Sequence, residues 1–329
     1  MQMPPRATVP GVKRGSSTWF DQVRGKNSAL IMPNPVRIAY AQIPLASKTV
    51  LVTGANSGIG AVAAHSFASS GATVYMACRN EEKTKPVIDK IIEDTSNQNV
   101  HFLKLDLASF ESITDCVREM RSKSLKLDIL VNNAGIACSD NGITASGFET
   151  TFAVNHLGPF LFTDLIIKGG MLSRGARIVN VSSRAHYRAP GIDFGALRRA
   201  TATRLGMHEY GVSKLANVLH AKGLASRFGP KLGITTYSLH PGAVATDVWR
   251  GLWSPLQAVI KLFILSVEQG TETTMYCATS VQAGEETGLY YDSCGAVKPS
   301  EQALSKELEE ELWAKSVAWT APFVELSRA

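Results

Sequence analysis

Tyr210 and Lys214 stand four residues apart in a stretch with helical spacing, and no other of the eight tyrosines has a lysine at that interval. Side chains at i and i+4 share one face of a helix. A free phenol ionises near pH 10, too high for easy proton exchange at neutral pH, and a neighbouring ammonium stabilises the phenolate and lowers that value. Such a pair can give a proton to an alkoxide developing from a carbonyl, or take one from an alcohol, which is general acid–base chemistry. A chance Tyr-x-x-x-Lys is common, so the weight falls on what surrounds it. Ser182 and Ser183 follow an apolar run, and a hydroxyl there can donate to a substrate oxygen and stabilise charge on it.

A second chemistry-bearing segment is Thr53-Gly54-Ala55-Asn56-Ser57-Gly58-Ile59-Gly60. It joins a β-branched run, Lys48–Thr53, to a segment of helical spacing, Val62–Ser70. A glycine-rich turn in that context lets backbone approach a pyrophosphate, and the helix that follows offers free N–H groups and a favourable dipole. The spacing is Gly54-x-x-x-Gly58-x-Gly60, not G-x-G-x-x-G. Dinucleotide sites select their cofactor at the end of the second strand, where an acid binds the ribose 2′-hydroxyl and a basic residue binds a 2′-phosphate. The chain has Cys78-Arg79-Asn80 there, with no acid before Glu81. Arg79 can clamp a phosphate through its planar fork, which favours NADP(H) over NAD(H). The alternative is a solvated arginine at a strand end.

The elements that must position these groups alternate. Apolar runs at Lys48–Thr53, Ala72–Ala77, Val100–Leu105, Leu127–Val131, Arg177–Val181 and Ile234–Leu239 read as strands. Val62–Ser70, Glu81–Asp94, Ile113–Met120, Gly147–Leu172 and His208–Phe228 read as helices between them. Strands that are apolar throughout and alternate with helices imply a parallel sheet covered on both faces. The expected fold is therefore α/β, a doubly wound parallel sheet of Rossmann type. It forms a single domain over 45–329, with ligands beyond the carboxyl ends of the strands.

These motifs, in this order, resemble the short-chain dehydrogenase/reductase family over roughly residues 45–320. Thr53-Gly54-x-x-x-Gly58-x-Gly60 follows the first strand, Asp106-Leu107 ends the third, Asn132-Asn133-Ala134-Gly135 the fourth, and Pro241-Gly242 follows the sixth, with Tyr210-x-x-x-Lys214 between. The resemblance implies a catalytic set of Asn155, Ser183, Tyr210 and Lys214. Ser183 is preferred to Ser182 because Ser183-Arg184-Ala185-His186 fits the family's frame, with histidine in its usual glycine position. Asn155 is placed like the asparagine that holds a water in a proton relay, against the alternative of a buried amide satisfied by backbone. His156 and His186 then read as structural or pocket-lining. The cofactor would be held by Thr53, Gly54, Asn56, Ser57, Gly58, Ile59, Gly60, Arg79, Asp106, Leu107, Asn133, Ala134, Gly135, Tyr210, Lys214, Pro241, Gly242 and Thr246. Lys214 would bind the nicotinamide ribose and Thr246 the carboxamide. Where many NADP-binding relatives carry a second basic residue in the glycine loop, this chain has Ser57.

A lid at about 244–267 is implied by the same resemblance, and its apolar stretch 248–267 holds Trp249, Trp253, Leu256, Val259, Ile260, Phe263 and Ile264. That suits a lipophilic alcohol or aldehyde, or peripheral contact with a membrane. The alternative is packing on the domain or on a second subunit. The long loop before Tyr210, Ser213–Asn217, Leu239–Gly242 and the tail around Tyr291–Cys294 and Leu312–Ser316 resemble the retinol dehydrogenase-like branch, with its relatives of protochlorophyllide reductase and of the WW-domain oxidoreductase. Branch members act on retinoid-, sterol- or fatty-aldehyde-like carbonyls among others, and family members associate as homo-oligomers, here through 147–172 and 208–228. Two other readings stand beside this one: a broad reductase of small carbonyls, and a non-catalytic NADP(H)-binding redox sensor.

Composition limits the remaining classes. The net charge of +6 is concentrated in residues 1–44, which hold six basic residues against Asp21 alone. The body is thus near neutral and offers no phosphate-tracking groove, so nucleic acid is not an expected partner. The basic, proline-rich 1–44 segment is an extension that reads equally as an organellar transit peptide or as a disordered tail. Five cysteines without metal-ligand spacing fit free thiols in a reducing compartment, cytoplasmic or organellar, and no metal site. No apolar run reaches the roughly eighteen residues of a membrane span.

Overall fold

A computed structural model describes residues 40–137, 142–203, 206–242 and 267–326. Its centre is an eight-stranded sheet in the order β3-β2-β1-β4-β5-β6-β7-β8. The strands are β1 (Thr49–Thr53), β2 (Thr73–Cys78), β3 (Val100–Lys104), β4 (Leu127–Asn132), β5 (Leu172–Val181), β6 (Thr235–His240), β7 (Leu289–Asp292) and β8 (Gly295–Val297). All neighbours pair in parallel except β7 with β8. The order reverses between β1 and β4, so the loops leaving these strands diverge and open a crevice at their carboxyl ends.

The helices are α1 (Gly58–Ser69), α2 (Glu81–Thr95), α3 (Phe110–Ser122), α4 (Gly158–Lys168), α5 (Met207–Leu232), α6 (Val267–Thr279), α7 (Glu301–Leu304) and α8 (Lys306–Leu326). One face of the sheet carries α1, α2 and α6; the other carries α3, α4, α5 and α8. Local chemistry sets their starts. The Asn80 and Ser109 side chains accept from the backbone N–H of Lys83 and Ser112, capping α2 and α3. Gly233, left-handed at φ 64°, ends α5.

Three departures from the expected elements have physical causes. The stretch 147–172 is mostly helical, from Thr150 to Lys168, but Gly147 sits in a turn, a π-helical turn spans Ala153–Leu157, and the chain enters β5 at Leu172. The first part of β5 is Ser173-Arg174-Gly175, half-buried at the serine and exposed at the other two, and its pairing with β4 shifts register there, so no apolar run marks it. Two strands beyond β6 also form. Their hairpin turns at Ser293 and Cys294, both at positive φ, without the glycine or asparagine that usually announces such a turn. Finally, the part of the N-terminal extension that is described docks on the domain. Ile43 donates to the Thr279 carbonyl, Val281 to that of Ala41, and the Tyr40 ring meets Tyr276 edge-on at 4.9 Å.

The helix α8 closes the α3/α4/α5 face. Its buried stripe of Glu309, Leu312, Ser316, Thr320 and Val324 recurs every three or four residues. Trp313 packs on Phe160 at 5.0 Å and under the Arg227 guanidinium at 4.3 Å, and Arg227 also bridges to Glu309 and Glu310. Trp319 meets Phe148, and Phe323 meets Phe110, each at 5.0 Å. A subunit contact on this face would therefore go through α8 rather than directly through α4 and α5. No helix among the described residues is long and apolar enough to cross a membrane.

Candidate active site

The glycine-rich loop leaves β1 in the crevice. Gly54 and Gly58 take positive φ, and Ser57 begins α1 in extended conformation without a side-chain cap, leaving the helix N-terminus open to a ligand. Asn56 and Ser57 are half-buried, while Ile59 is turned inward. Gly60 is where α1 presses closest: a Cβ there would lie 2.5 Å from both the Gly54 carbonyl and Asn133 Nδ2. Gly60→Ala is expected to push the loop outward, weaken dinucleotide affinity at least about tenfold and cost about 1–3 kcal/mol of stability. Fluorescence titration with NADPH and a thermal melt would measure both.

The end of β4 is tied to this loop. Thr53 Oγ1 accepts from the backbone N–H of Asn133 and of Ala134, both at 3.0 Å, and Asn133 Nδ2 donates to the Thr53 carbonyl at 2.8 Å. Asn133, Ala134 and Gly135 are thereby set as a floor next to the turn. On the far side, Asp106 makes an Asx turn with Ala108, and the Leu107 carbonyl packs against Gly158 of α4.

Gly135 also serves as a ruler for the other residues. A Cβ built on it would lie 3.2 Å from Lys214 Nζ and 3.3 Å from Asn155 Oδ1. Asn155 sits in the π-helical turn, and its amide is committed: Oδ1 accepts from the Ile136 N–H, and Nδ2 donates to the Ile136 carbonyl and to Ser213 Oγ. Both amide protons are used, so this side chain positions the Gly135–Ile136 backbone. Ser213 Oγ in turn donates to the Tyr210 carbonyl. Lys214 is 3 % exposed and donates to the Val181 carbonyl at 3.0 Å, with Nζ 5.5 Å from the Tyr210 ring centre. Burial lowers its ammonium from 10.5 to about 8.

The two serines separate cleanly. Ser182 is buried and donates to the Lys214 carbonyl at 2.7 Å, so its hydroxyl is spent on α5. Ser183 is half-buried and caps the short 3-10 turn Arg184–Arg188, accepting from the Ala185 N–H at 3.2 Å. Its hydroxyl hydrogen is the one that can turn toward a ligand. His186 binds the Ser183 carbonyl through Nδ1 and accepts from the Ser300 N–H at Nε2, and burial lowers its pKa. His156 is fully buried against Ser316 of α8, and burial takes it well below the usual imidazole range.

Of the expected site residues, Arg79 lies exposed at the end of β2, and Pro241 and Gly242 follow β6. Thr246 and the apolar segment up to 266 lie outside the described residues. Sequence reading did not single out Ser213 and Asn217 for a role of their own. Asn217 shares the Val181 carbonyl with Lys214 at 3.2 Å. Both were detectable: Tyr210, Ser213, Lys214 and Asn217 recur at three and four residues, a polar stripe that stays buried on α5. Among the described residues there is no cluster of histidine, cysteine or acid able to hold a metal ion, and Cys78, Cys116, Cys277 and Cys294 are free thiols.

Residues 48–257 match the short chain dehydrogenase family. The chain belongs to that family. Retinol dehydrogenase 12 of Mus musculus is 37% identical to it over 282 residues, which is 84% of this chain and 87% of that protein. The WW domain-containing oxidoreductase of Gallus gallus is 36% identical over 281 residues, covering 83% of this chain and 68% of that protein. Among solved structures, an uncharacterized protein from Mycobacterium Paratuberculosis superposes with a TM-score of 0.69 at 28% identity, over 85% of this chain and 96% of that one. An NAD(P)-dependent gluconate 5-dehydrogenase from Beutenbergia cavernae, solved with NADP, gives 0.59 at 25% identity, over 76% and 96%. This short-chain dehydrogenase is thus an oxidoreductase that acts on CH–OH groups, interconverting alcohol and carbonyl in small molecules.

Proposed function

We propose that the enzyme uses NADP(H) to interconvert a lipophilic alcohol and its aldehyde or ketone, with Tyr210 as general acid and base. The observation that carries this reading is the meeting of Lys214 Nζ and Asn155 Oδ1 at Gly135, beside the glycine-rich turn. The residues fit a dinucleotide: the open N-terminus of α1 and the close approach at Gly60 suit a pyrophosphate, and Asn133–Gly135 and Lys214 suit the nicotinamide riboside. When bound, the nicotinamide supplies or accepts the hydride. Ser183 donates a hydrogen bond to the substrate oxygen, Tyr210 gives or takes its proton, and the Lys214 ammonium stabilises the phenolate between turnovers. Asn155 and Ser213 hold the floor and the first turn of α5 in place.

Arg79 supports the 2′-phosphate preference, and the apolar segment 248–267 supports a lipophilic substrate and peripheral contact with lipid. Free thiols support a reducing compartment. The test is turnover by the purified chain with NADPH and NADH against aldehydes and ketones from propanal to long-chain and polyene members. At least tenfold higher kcat/KM with NADPH, and with long-chain over short-chain carbonyls, is expected, on the scale of one or two charged contacts or a few buried methylenes. Preference for NADH overturns the cofactor assignment; preference for propanal overturns the substrate class.

A further inference from the structure

Arg79 is one cation, and a ribose 2′-phosphate carries close to two charges. The glycine-rich turn offers Ser57 where a second basic residue would be useful. The fold brings another candidate to the same place from a different strand. Lys104 is the last residue of β3 and stands in register with Cys78, the residue before Arg79. Parallel neighbours in register point to the same face of the sheet. That face is known from Cys78, whose thiol lies against the backbone of Gly54, Ala55 and Asn56 in the glycine-rich turn. Lys104 therefore rises on the side of the sheet where the dinucleotide turn lies, one strand outward from the crevice. Its Nζ donates to the Arg79 carbonyl at 2.5 Å, and its side chain is otherwise exposed.

We propose that Lys104 is the second cation of the 2′-phosphate pocket and that it, together with Arg79, sets the preference for NADP(H). This rests on the NADP(H) reading of the site. Lys104 can leave the Arg79 carbonyl for the phosphate by side-chain rotation, because that hydrogen bond is exposed and water can replace the lysine. The flexible stem and compact charge of lysine suit a partner approached from a neighbouring strand, while Arg79 supplies the planar fork. The serine in the glycine-rich turn is then no deficit, since the charge it lacks comes from β3.

The test uses calorimetry on the full chain with two fragments that lack nicotinamide, adenosine 2′,5′-bisphosphate and adenosine 5′-monophosphate. Wild type is expected to bind the bisphosphate more tightly, with a preference that shrinks as salt is raised. Lys104→Met should reduce bisphosphate affinity roughly tenfold, the scale of one charge-assisted contact. It should leave the monophosphate within about twofold, as expected for a change at an exposed side chain. Lys104→Arg should restore most of the loss. An unchanged ratio in Lys104→Met, with wild-type preference intact, overturns the role of Lys104 and leaves the NADP(H) reading standing. Equal binding of the two fragments by wild type overturns both. A fall in affinity for both fragments alike also overturns the proposal, because it marks a general disturbance of the turn.

Discussion

Tyr210→Phe should lower kcat by at least about three orders of magnitude while NADPH binding stays within a factor of about two, since general acid–base groups contribute roughly 10²–10⁴-fold. The substitution removes a single oxygen from a ring that is 8 % exposed in the first turn of α5. Packing is kept, and so is the bond from Ser213, which is made to the Tyr210 backbone carbonyl. The histidines nearby are poor substitutes. His186 has both ring nitrogens engaged and His156, within the π-helical turn, is turned to Ser316 of α8, and burial lowers the pKa of each. Single-turnover kinetics alongside fluorescence titration separates chemistry from binding. Retention of more than a tenth of the wild-type rate would remove Tyr210 from the role of proton donor.

Lys214→Met should give an inactive protein that is more stable than the wild type at pH 7. The ammonium is buried and donates to the Val181 carbonyl, and among the described residues no carboxylate is hydrogen-bonded to it. A fall from 10.5 to about 8 corresponds to about 3 kcal/mol of cost to the folded state at neutral pH. The folded pKa lies below the unfolded one. The cost is therefore complete below about pH 8 and fades as pH rises through 10.5, above which the lysine is neutral in both states. Methionine fills a similar volume without the charge, and the Val181 carbonyl keeps Asn217 as a donor. Melting temperature at pH 7 should rise by about 2–4 °C for each kcal/mol recovered, with the gap to wild type narrowing above pH 8. A variant that melts lower at pH 7 would show that the lysine stabilises the fold. A buried charge kept at such a cost is expected where chemistry needs it.

The residues that speak for themselves in the chain are those whose role depends on local pattern. Six parallel strands were legible because buried strands are apolar throughout, and the glycine-rich turn was legible because three glycines sit between a strand and a helix. Tyr210 and Lys214 were visible through one helical turn. What stayed hidden depends on contacts distant in sequence. β7 reads as a short aromatic run, and only its pairing with β6 makes Leu289–Asp292 a strand. The π-helical turn at Ala153–Leu157 follows from Asn155 gripping both the N–H and the carbonyl of Ile136, nineteen residues away. The choice between Ser182 and Ser183 rested on likeness to a family frame; the hydrogen bond from Ser182 to the Lys214 carbonyl gives it a physical basis. Lys104 reads as an ordinary solvated charge until its strand is set beside β2.

The seal made by α8 bears on where this polypeptide can be cut. The match to the family ends at residue 257, but the architecture does not. A fragment trimmed to that match would lack β7, leaving β6 as a bare sheet edge of the kind that recruits foreign strands. It would also lack the rings of Trp313, Trp319 and Phe323, uncovering Phe110, Phe148 and Phe160 as a continuous oily surface. Such a fragment would keep Tyr210, Lys214 and the glycine-rich turn and still be expected to precipitate. For cloning, crystallisation or fusion to a reporter, the unit to preserve is the one that packs, which runs through Leu326, and tags belong outside it.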